Sequence, residues 1–370
     1  MTPPRLLPAR RTAALAMGVT LTLLAAPMAV SANGPYTFSP AVFDIAAAPN
    51  GGVLVTENNT IQFIREGDVH AVASIPLPET VGPPATVNGI VAVGSGNYFV
   101  TTGGGDLATG AALFRVAPGR TRMVADITAF EVANDPDATA GLSWKDPRCE
   151  ESPEFSAGPQ SNPYHVAARS GGEALVADAA GNTLLSARTN GQVSLVAVFT
   201  PPVSDGSASA DPADWMVLFS LPDDTPCYVQ PVPTSVAIGP DGAYYVGELT
   251  GAPAPVGVSR VWRIEPGATN VTCPSASCTL AVQGLTSVID VAFGPDGLLY
   301  VVEYDGNGWL AALTGSPGGG TVKACDVGAG SCSTVASGLT LPGAITFDKQ
   351  GSLWLLESNI IAPTVRMLMP

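Results

Sequence analysis

The chain has 370 residues, of which only 13% are charged, and a formal net charge of −15. So acidic a chain repels nucleic acid and anionic membrane surfaces, which leaves cations, sugars, neutral small molecules and basic partners as ligands. Its 41 glycines and 34 prolines mark many turns, while 46% hydrophobic residues are too many for a disordered chain, so many short strands around a large core are expected.

The first element reads as an export signal over residues 1–32. Arg5, Arg10 and Arg11 form a basic start, an apolar run follows from Ala13 to Ala26, and Val30-Ser31-Ala32 supplies small residues before a cleavage point. The run is short for a membrane span, and no later stretch is long and apolar enough for one. The expectation is a secreted, extracytoplasmic monomer whose mature part, residues 33–370, is one domain. Losing three arginines and no acids with the leader takes the charge from −15 to −18.

Six copies of one pattern follow. They are DIAAAPNGGVLVTE (Asp44 to Glu57), GIVAVGSGNYFVTT (Gly89 to Thr102), HVAARSGGEALVAD (His165 to Asp178), SVAIGPDGAYYVGE (Ser235 to Glu248), DVAFGPDGLLYVVE (Asp290 to Glu303) and AITFDKQGSLWLLE (Ala344 to Glu357). Each is an apolar strand, a tight turn with Gly, and a second apolar strand, which together signal a hairpin. The turn glycines Gly51, Gly96, Gly172, Gly242, Gly297 and Gly351 lie 45, 76, 70, 55 and 54 residues apart. A four-stranded propeller blade takes about 40 to 50 residues, so the larger gaps hold insertions. Runs such as VSRVWRIEPG (Val258 to Gly267) and CTLAVQGLT (Cys278 to Thr286) supply third and fourth strands. In the second gap DITAFEVAND (Asp126 to Asp135) reads as one short helix capped by Asp126, and Pro201 to Pro231 has room for a degenerate blade. The expected fold is all-β, a six-bladed β-propeller. The repeat is too long for a solenoid rung and too regular for a sandwich.

The six cysteines form two local pairs, Cys273–Cys278 and Cys325–Cys332, with Cys149 and Cys227 left to join the two large insertions. An exported chain favours disulfides at all three. Zinc is a poor alternative, with two histidines and no paired C-x-x-C knuckles.

Several segments in order resemble the ScyD/ScyE family of bacterial proteins: AFEVANDPD (Ala129 to Asp137), SNPYHVA (Ser161 to Ala167), VADAAGNTLLS (Val176 to Ser186), VSLVAVF (Val193 to Phe199), Val232-Pro233-Thr234-Ser235 with GPDGAYYVGELTG (Gly239 to Gly251), and VWRIEPG (Val261 to Gly267). The likeness runs from Gly34 to Val365. That family resembles propellers of the NHL and gluconolactonase types, and some cyanobacterial members are associated with the gene region of the sunscreen pigment scytonemin. The resemblance implies the fold and no particular reaction.

There is no G-x-S-x-G elbow, phosphate-binding G-x-x-x-x-G-K-[ST] loop or H-E-x-x-H motif. Two repeat positions carry acids. Six residues after the turn Gly stand Glu57, Asp178, Glu248, Glu303 and Glu357, where repetition suggests an acid that accepts loop N–H bonds and holds the blade edge. Seven residues before it stand Asp44, Gly89, His165, Ser235, Asp290 and Ala344. Antiparallel pairing returns both positions to one end of the blade, around the central channel. Asp44, His165 and Asp290, with Asn88 and Asn162 near them in sequence, are therefore candidate ligand-binding residues. The first three also suit a divalent cation such as Ca²⁺. DGNG (Asp305 to Gly308) reads as a Gly-rich turn sooner than as a calcium loop. Trp262 and Trp354 fall in strands as packing residues, while Trp144 and Trp215 lie in insertions where an aromatic can meet a partner. The leading functional expectation is a binding or scaffold protein that takes a protein partner or small ligand on one face of the ring. The alternative is a metal-assisted lactonase or related hydrolase at the channel mouth.

Overall fold

A computed structural model describes residues 34–80, 82–104, 107–139, 147–149 and 158–369; the expected leader and Trp144 lie outside them. The six sequence repeats fold as the inner two strands of six four-stranded antiparallel blades. Blade 1 runs outward from the axis through Ile45–Ala47, Val53–Glu57, Thr60–Arg65 and Asp68–Ser74. Blades 2 to 5 open on Thr86–Gly94, Pro163–Ser170, Pro233–Ile238 and Val288–Phe293. Blade 6 runs through Ala344–Phe347, Leu353–Glu357 and Thr364–Met369, then takes its outermost strand, Tyr36–Thr37, from the start of the described chain. The ring is thus closed by pairing its two ends.

The second strand of each blade is apolar throughout because both of its faces are covered. In blade 1, Leu54 packs toward blade 2, while Val53 and Val55 pack toward blade 6. Strand side chains alternate between faces, so a strand wedged between neighbours reads as a continuous apolar run. Six buried clusters result, one in each interface between adjacent blades. Outer strands such as Asp68–Ser74 and Ser331–Leu339 face solvent and lose that signature.

Tight turns join the first two strands. Five of the six turn glycines have φ between 67° and 84°, a left-handed conformation that disfavours a side chain; Gly172 is the exception. In the G-P-D-G turns the Asp is an anchor as well. Asp241 accepts from the Ala243 N–H and the Tyr245 hydroxyl, and Asp296 from Leu298 and Tyr300 in the same way.

The helix expected in the second gap spans Ile127–Asn134, with the Asp126 carboxylate accepting from the Ala129 N–H as its cap. The stretch from Pro201 to Pro231 is no blade. It holds a single hairpin, Val217–Ser220 with Pro226–Tyr228. Its Trp215 is not presented to a partner either: the side chain packs on Val198 and Tyr228, leaving the residue 4% exposed, and its indole N–H bonds the Ser209 carbonyl. Trp262 and Trp354 are buried between blades as expected.

All three disulfides form. Cys149–Cys227 ties together the two large insertions. Cys273–Cys278 and Cys325–Cys332 occupy the same connection, between third and fourth strands, in blades 4 and 5. Blade 4 uses this loop to send Val271–Cys273 across to blade 3, where it adds a parallel fifth strand. Among the described residues no helix is long and apolar enough to cross a membrane.

Candidate functional site

The inner strands of blades 2 to 5 do not start in regular register. Pairing slips between Val87 and Ile90, Pro163 and His165, Pro233 and Ser235, and Val288 and Asp290. Each bulge falls at or beside the repeat position seven residues before the turn Gly. An extra residue bends a strand and re-aims its side chains. The side chains at this position reach across to the next blade. Asp44 Oδ2 accepts from the Ile90 N–H at 2.7 Å, His165 Nδ1 from Val236 at 3.3 Å, Ser235 Oγ from Val291 at 3.0 Å, and Asp290 Oδ2 from Ile345 at 2.8 Å. Four of the six positions therefore clasp neighbouring blades, and three different side-chain chemistries perform that task.

Large and small residues alternate around the axis. Blades 1, 3 and 5 carry Phe43-Asp44, Tyr164-His165 and Ile289-Asp290; blades 2, 4 and 6 carry Asn88-Gly89, Thr234-Ser235 and Gly343-Ala344. Alternation of this kind lets side chains fill a narrow ring. Gly89 is required by it, since a Cβ there would lie 2.8 Å from His165 Cα. The three large polar side chains then meet. His165 Nε2 is 3.7 Å from Asp44 Oδ2 and 3.6 Å from Asp290 Oδ1, and the three ligand atoms all lie within 4.8 Å of one another. Both carboxylates are buried, while 17% of the His165 side chain is exposed.

Burial dominates the electrostatics of this layer. It pushes Asp44 up to about 7, with Asp290 raising it further, against the lowering effect of His165 and of the Ile90 and Ile45 amides. Asp290 is raised for the same first reason, and is held back by His165, the Ser235 hydroxyl and the Ile345 and Val291 amides. Losing water disfavours a carboxylate more than these partners favour it.

Above the layer lies an aromatic collar that the sequence did not reveal. Tyr164 reaches from blade 3 toward blades 1 and 5. Its ring meets Phe43 edge-on at 6.0 Å and packs against the buried cluster of blades 5 and 6 that includes Tyr304. Burial raises the Tyr164 hydroxyl, and Tyr304, Asp44 and Asp290 each add to the shift. Tyr304 is pushed up to about 12 by burial and Asp305, and it donates to Asn359 Oδ1 at 3.2 Å. The available signal was position: Phe43 and Tyr164 immediately precede Asp44 and His165.

Asn88 and Asn162 come together with each other. The Asn88 amide donates to Asn162 Oδ1 at 2.8 Å and to the Pro163 carbonyl at 3.2 Å, and Asn88 Oδ1 accepts from Thr86 Oγ1. They tie blade 2 to blade 3.

The acids after the turn are structural, as their repetition suggested. Glu57, Asp178, Glu303 and Glu357 accept from the backbone N–H of Ser39, Asn162, Thr286 and Thr340, in the loop leading into their own blade. Glu248 instead binds the wholly buried Arg260 and the Trp262 indole. Asp305 caps its own Gly-rich turn, accepting from the Asn307, Gly318 and Gly319 amides. A second acidic group, Glu131, Asp135 and Asp137, gathers at the Ile127–Asn134 helix and was not singled out from the sequence.

No family model and no curated protein matches this chain. Among solved structures it is similar to a protein of Thermus thermophilus provisionally described as an oxidoreductase (glucose dehydrogenase), with 14% identity, 90% of this chain and 100% of that one covered, and a TM-score of 0.51. It is also similar to the soluble aldose sugar dehydrogenase of Escherichia coli in its apo form, with 12% identity, 89% and 96% covered, and a TM-score of 0.52. Virginiamycin B lyase from Staphylococcus aureus aligns at 14% identity over 91% and 89% of the two chains, with a TM-score of 0.46. At these identities the likeness to the first two is one of fold.

Proposed function

We propose that the chain is an exported propeller of the ScyD/ScyE type, cleaved after Ala32, that binds a protein partner or small ligand on the face where Asp44, His165 and Asp290 meet. The observation that carries this reading is the placement of the long connections. The insertion with the Ile127–Asn134 helix, the insertion with the Val217–Ser220 hairpin, the loop between Glu248 and Ser259, and the loop holding the Trp309–Leu313 helix all follow a second or fourth strand. They emerge at the same end of the ring as the collar. The opposite end has mostly tight Gly turns. Repeat folds put their variable loops on the face that binds, over a rigid scaffold. Three disulfides support an oxidising, extracytoplasmic setting.

A metal-assisted lactonase or hydrolase is the second reading, favoured by one measurement. With His165 Nε2 3.7 and 3.6 Å from the two carboxylate oxygens and the third side no longer than 4.8 Å, a point about 2.4 Å from all three exists, inside the 2.3–2.6 Å range of Ca²⁺–oxygen bonds. A divalent ion there would polarise a carbonyl or acidify a water. One experiment addresses both readings: thermal shifts of the mature wild type, Tyr164→Ala and Asp44→Ala/Asp290→Ala with a small-molecule panel plus Ca²⁺ and Mn²⁺. Stabilising ligands should lose their effect in Tyr164→Ala. Equal shifts in wild type and Tyr164→Ala would move binding off this face. Metal shifts present in wild type and absent from the double variant would favour the hydrolase.

A further inference from the structure

Two segments that the channel mouth does not use, AFEVANDPD and VADAAGNTLLS, meet where the insertion with the Ile127–Asn134 helix lies against blade 3. Ile127 and Glu131, one turn apart, are buried on one face of that helix. The helix ends on Asp135, whose left-handed backbone turns the chain straight into the short helix Pro136–Thr139. Glu131, Asp135 and Asp137 are thereby gathered, with one carboxylate oxygen of each within 4.8 Å of the others. Three atoms so spaced share a centre no more than about 2.8 Å from each, close to the 2.3–2.6 Å of Ca²⁺–oxygen bonds. Glu131 and Asp137 are buried, and the half-buried Asp135 gives an ion a way in from solvent.

Blade 3 brings a fourth oxygen to the same place. Its strand Thr183–Arg188 packs Leu185 and Ala187 with Ile127 and Phe130 of the helix, and strand alternation puts Thr183 on that face too. The cross-strand partner of Thr183 is Asp178, and such partners share a face. The Asp178 carboxylate lies beside that of Glu131, because a Cβ on Gly181 would stand 3.3 Å both from Asp178 Oδ2 and from Glu131 Oε2. Pro136–Thr139, which carries Asp137, packs on Val193–Phe199, the strand next to Thr183. The Thr183 hydroxyl is therefore aimed at the acidic group from across the interface. It is fully buried, and Oγ1 has no hydrogen-bond partner among the described residues. Leaving a buried hydroxyl unmade is costly, and an ion that it faces accounts for it. Asp178 differs, since it already accepts from the Ser161 hydroxyl and the Asn162 and Gly181 amides.

The donors are all oxygens, which selects a hard cation, and three carboxylates in one place suit Ca²⁺ better than Mg²⁺, which keeps its waters and takes one or two. We propose that Glu131, Asp135, Asp137 and Thr183 Oγ1 form a Ca²⁺ site that pins the helical insertion to blade 3, whatever the channel mouth binds.

Calorimetric titration of the chelator-treated protein with Ca²⁺, with melting temperatures read on the same samples, tests this. The wild type should bind Ca²⁺ saturably and melt higher with it. Asp44→Ala/Asp290→Ala should keep that binding, which separates it from an ion at the mouth, and Asp137→Asn should abolish it. Thr183→Val keeps the side chain's shape and removes the hydroxyl. It should weaken Ca²⁺ about tenfold, yet leave the ion-free protein no less stable, because the lost hydroxyl had no partner. If Asp137→Asn does not fold, Thr183→Val carries the test alone. No Ca²⁺ binding by the wild type, binding lost in Asp44→Ala/Asp290→Ala, unchanged affinity in Thr183→Val, or tighter binding of Mg²⁺ than of Ca²⁺ would each overturn the proposal.

Discussion

Asp44 shows how one buried carboxyl ties the ring to pH. Its folded pKa is raised from 3.8 to about 7, so the native state holds a proton that the unfolded chain releases at lower pH. Stability from that proton is fully present below the unfolded value and is lost as pH rises through the folded one. The wild type should therefore melt progressively lower, relative to Asp44→Asn, between pH 3.8 and about 7. The Asn variant should carry its own pH-independent penalty, because its amide must set a donor against the Ile45 or Ile90 N–H. The informative quantity is the slope of the difference, read by calorimetry. A flat difference across that window would mean that Asp44 is ionised when folded. The convergence of Asp44, His165 and Asp290 was legible from their shared place before the turn Gly. Their variety was less so: charged, hydroxylated and apolar residues at one position looked like a site built once. The structure gives that variety a packing cause as well, since a side chain at Gly89 would run into the backbone of His165 in the next blade. Tyr164 was missed because the bulge between Pro163 and His165, which no spacing announces, turns that neighbouring position into the collar, and Phe43 because it stands ahead of the first strand of its blade.

Elements differ in how plainly they were written. The inner hairpins could be read because burial on both faces keeps them apolar and because the Gly and Asp of their turns are chemically demanding. The fourth strands were uneven: CTLAVQGLT marked Cys278–Leu285 in blade 4, but Ser331–Leu339 in blade 5 is mostly exposed Ser, Thr and Gly, with no alternation to mark it. The fifth strand of blade 3, Val271–Cys273, is borrowed from its neighbour and depends on long-range geometry. Where an element ends on an acid, the partner it was given matters most. Arg260 in blade 4 is fully buried, pairs with both oxygens of Glu248, stacks on Trp262 at 4.7 Å and bonds the Thr200 and Ser207 carbonyls of the adjoining insertion. Burial raises Glu248 against the pull of Arg260, which marks the pair as expensive to bury. Glu248→Ala would strand the guanidinium and should destabilise the protein by about 3–5 kcal/mol. Glu57→Ala, at a blade edge open to solvent, should lose far less. Urea unfolding of the two variants checks the contrast, and equal losses would refute it.

At the scale of the molecule, stability rests on a closed circle of six interfaces, and the closure itself is a short pairing. Tyr36 and Thr37 bond the last strand opposite Val365 and Thr364, the Phe38 N–H reaches the Pro363 carbonyl, and the Tyr36 ring is buried 6.3 Å from Trp354. The blade 6 to blade 1 cluster includes Tyr36 and Val42 beside Val53, Val55 and Leu356. Removing the strand exposes one edge of blade 6 and part of that interface, but leaves the other five interfaces intact. Tyr36→Ala should cost about 3 kcal/mol, the scale of other buried aromatic truncations, and should lower the urea midpoint without changing the slope. A chain starting at Val42 loses the ladder bonds as well, so its midpoint should fall further. Its slope should also shrink, because the native state already exposes surface that the closed ring hides. Trp354 then loses its cover, and native-state tryptophan emission should shift to the red. If the shortened chain kept the midpoint of Tyr36→Ala and an unshifted emission, the strand would be a passive tail, and the six interfaces would hold the circle without a clasp.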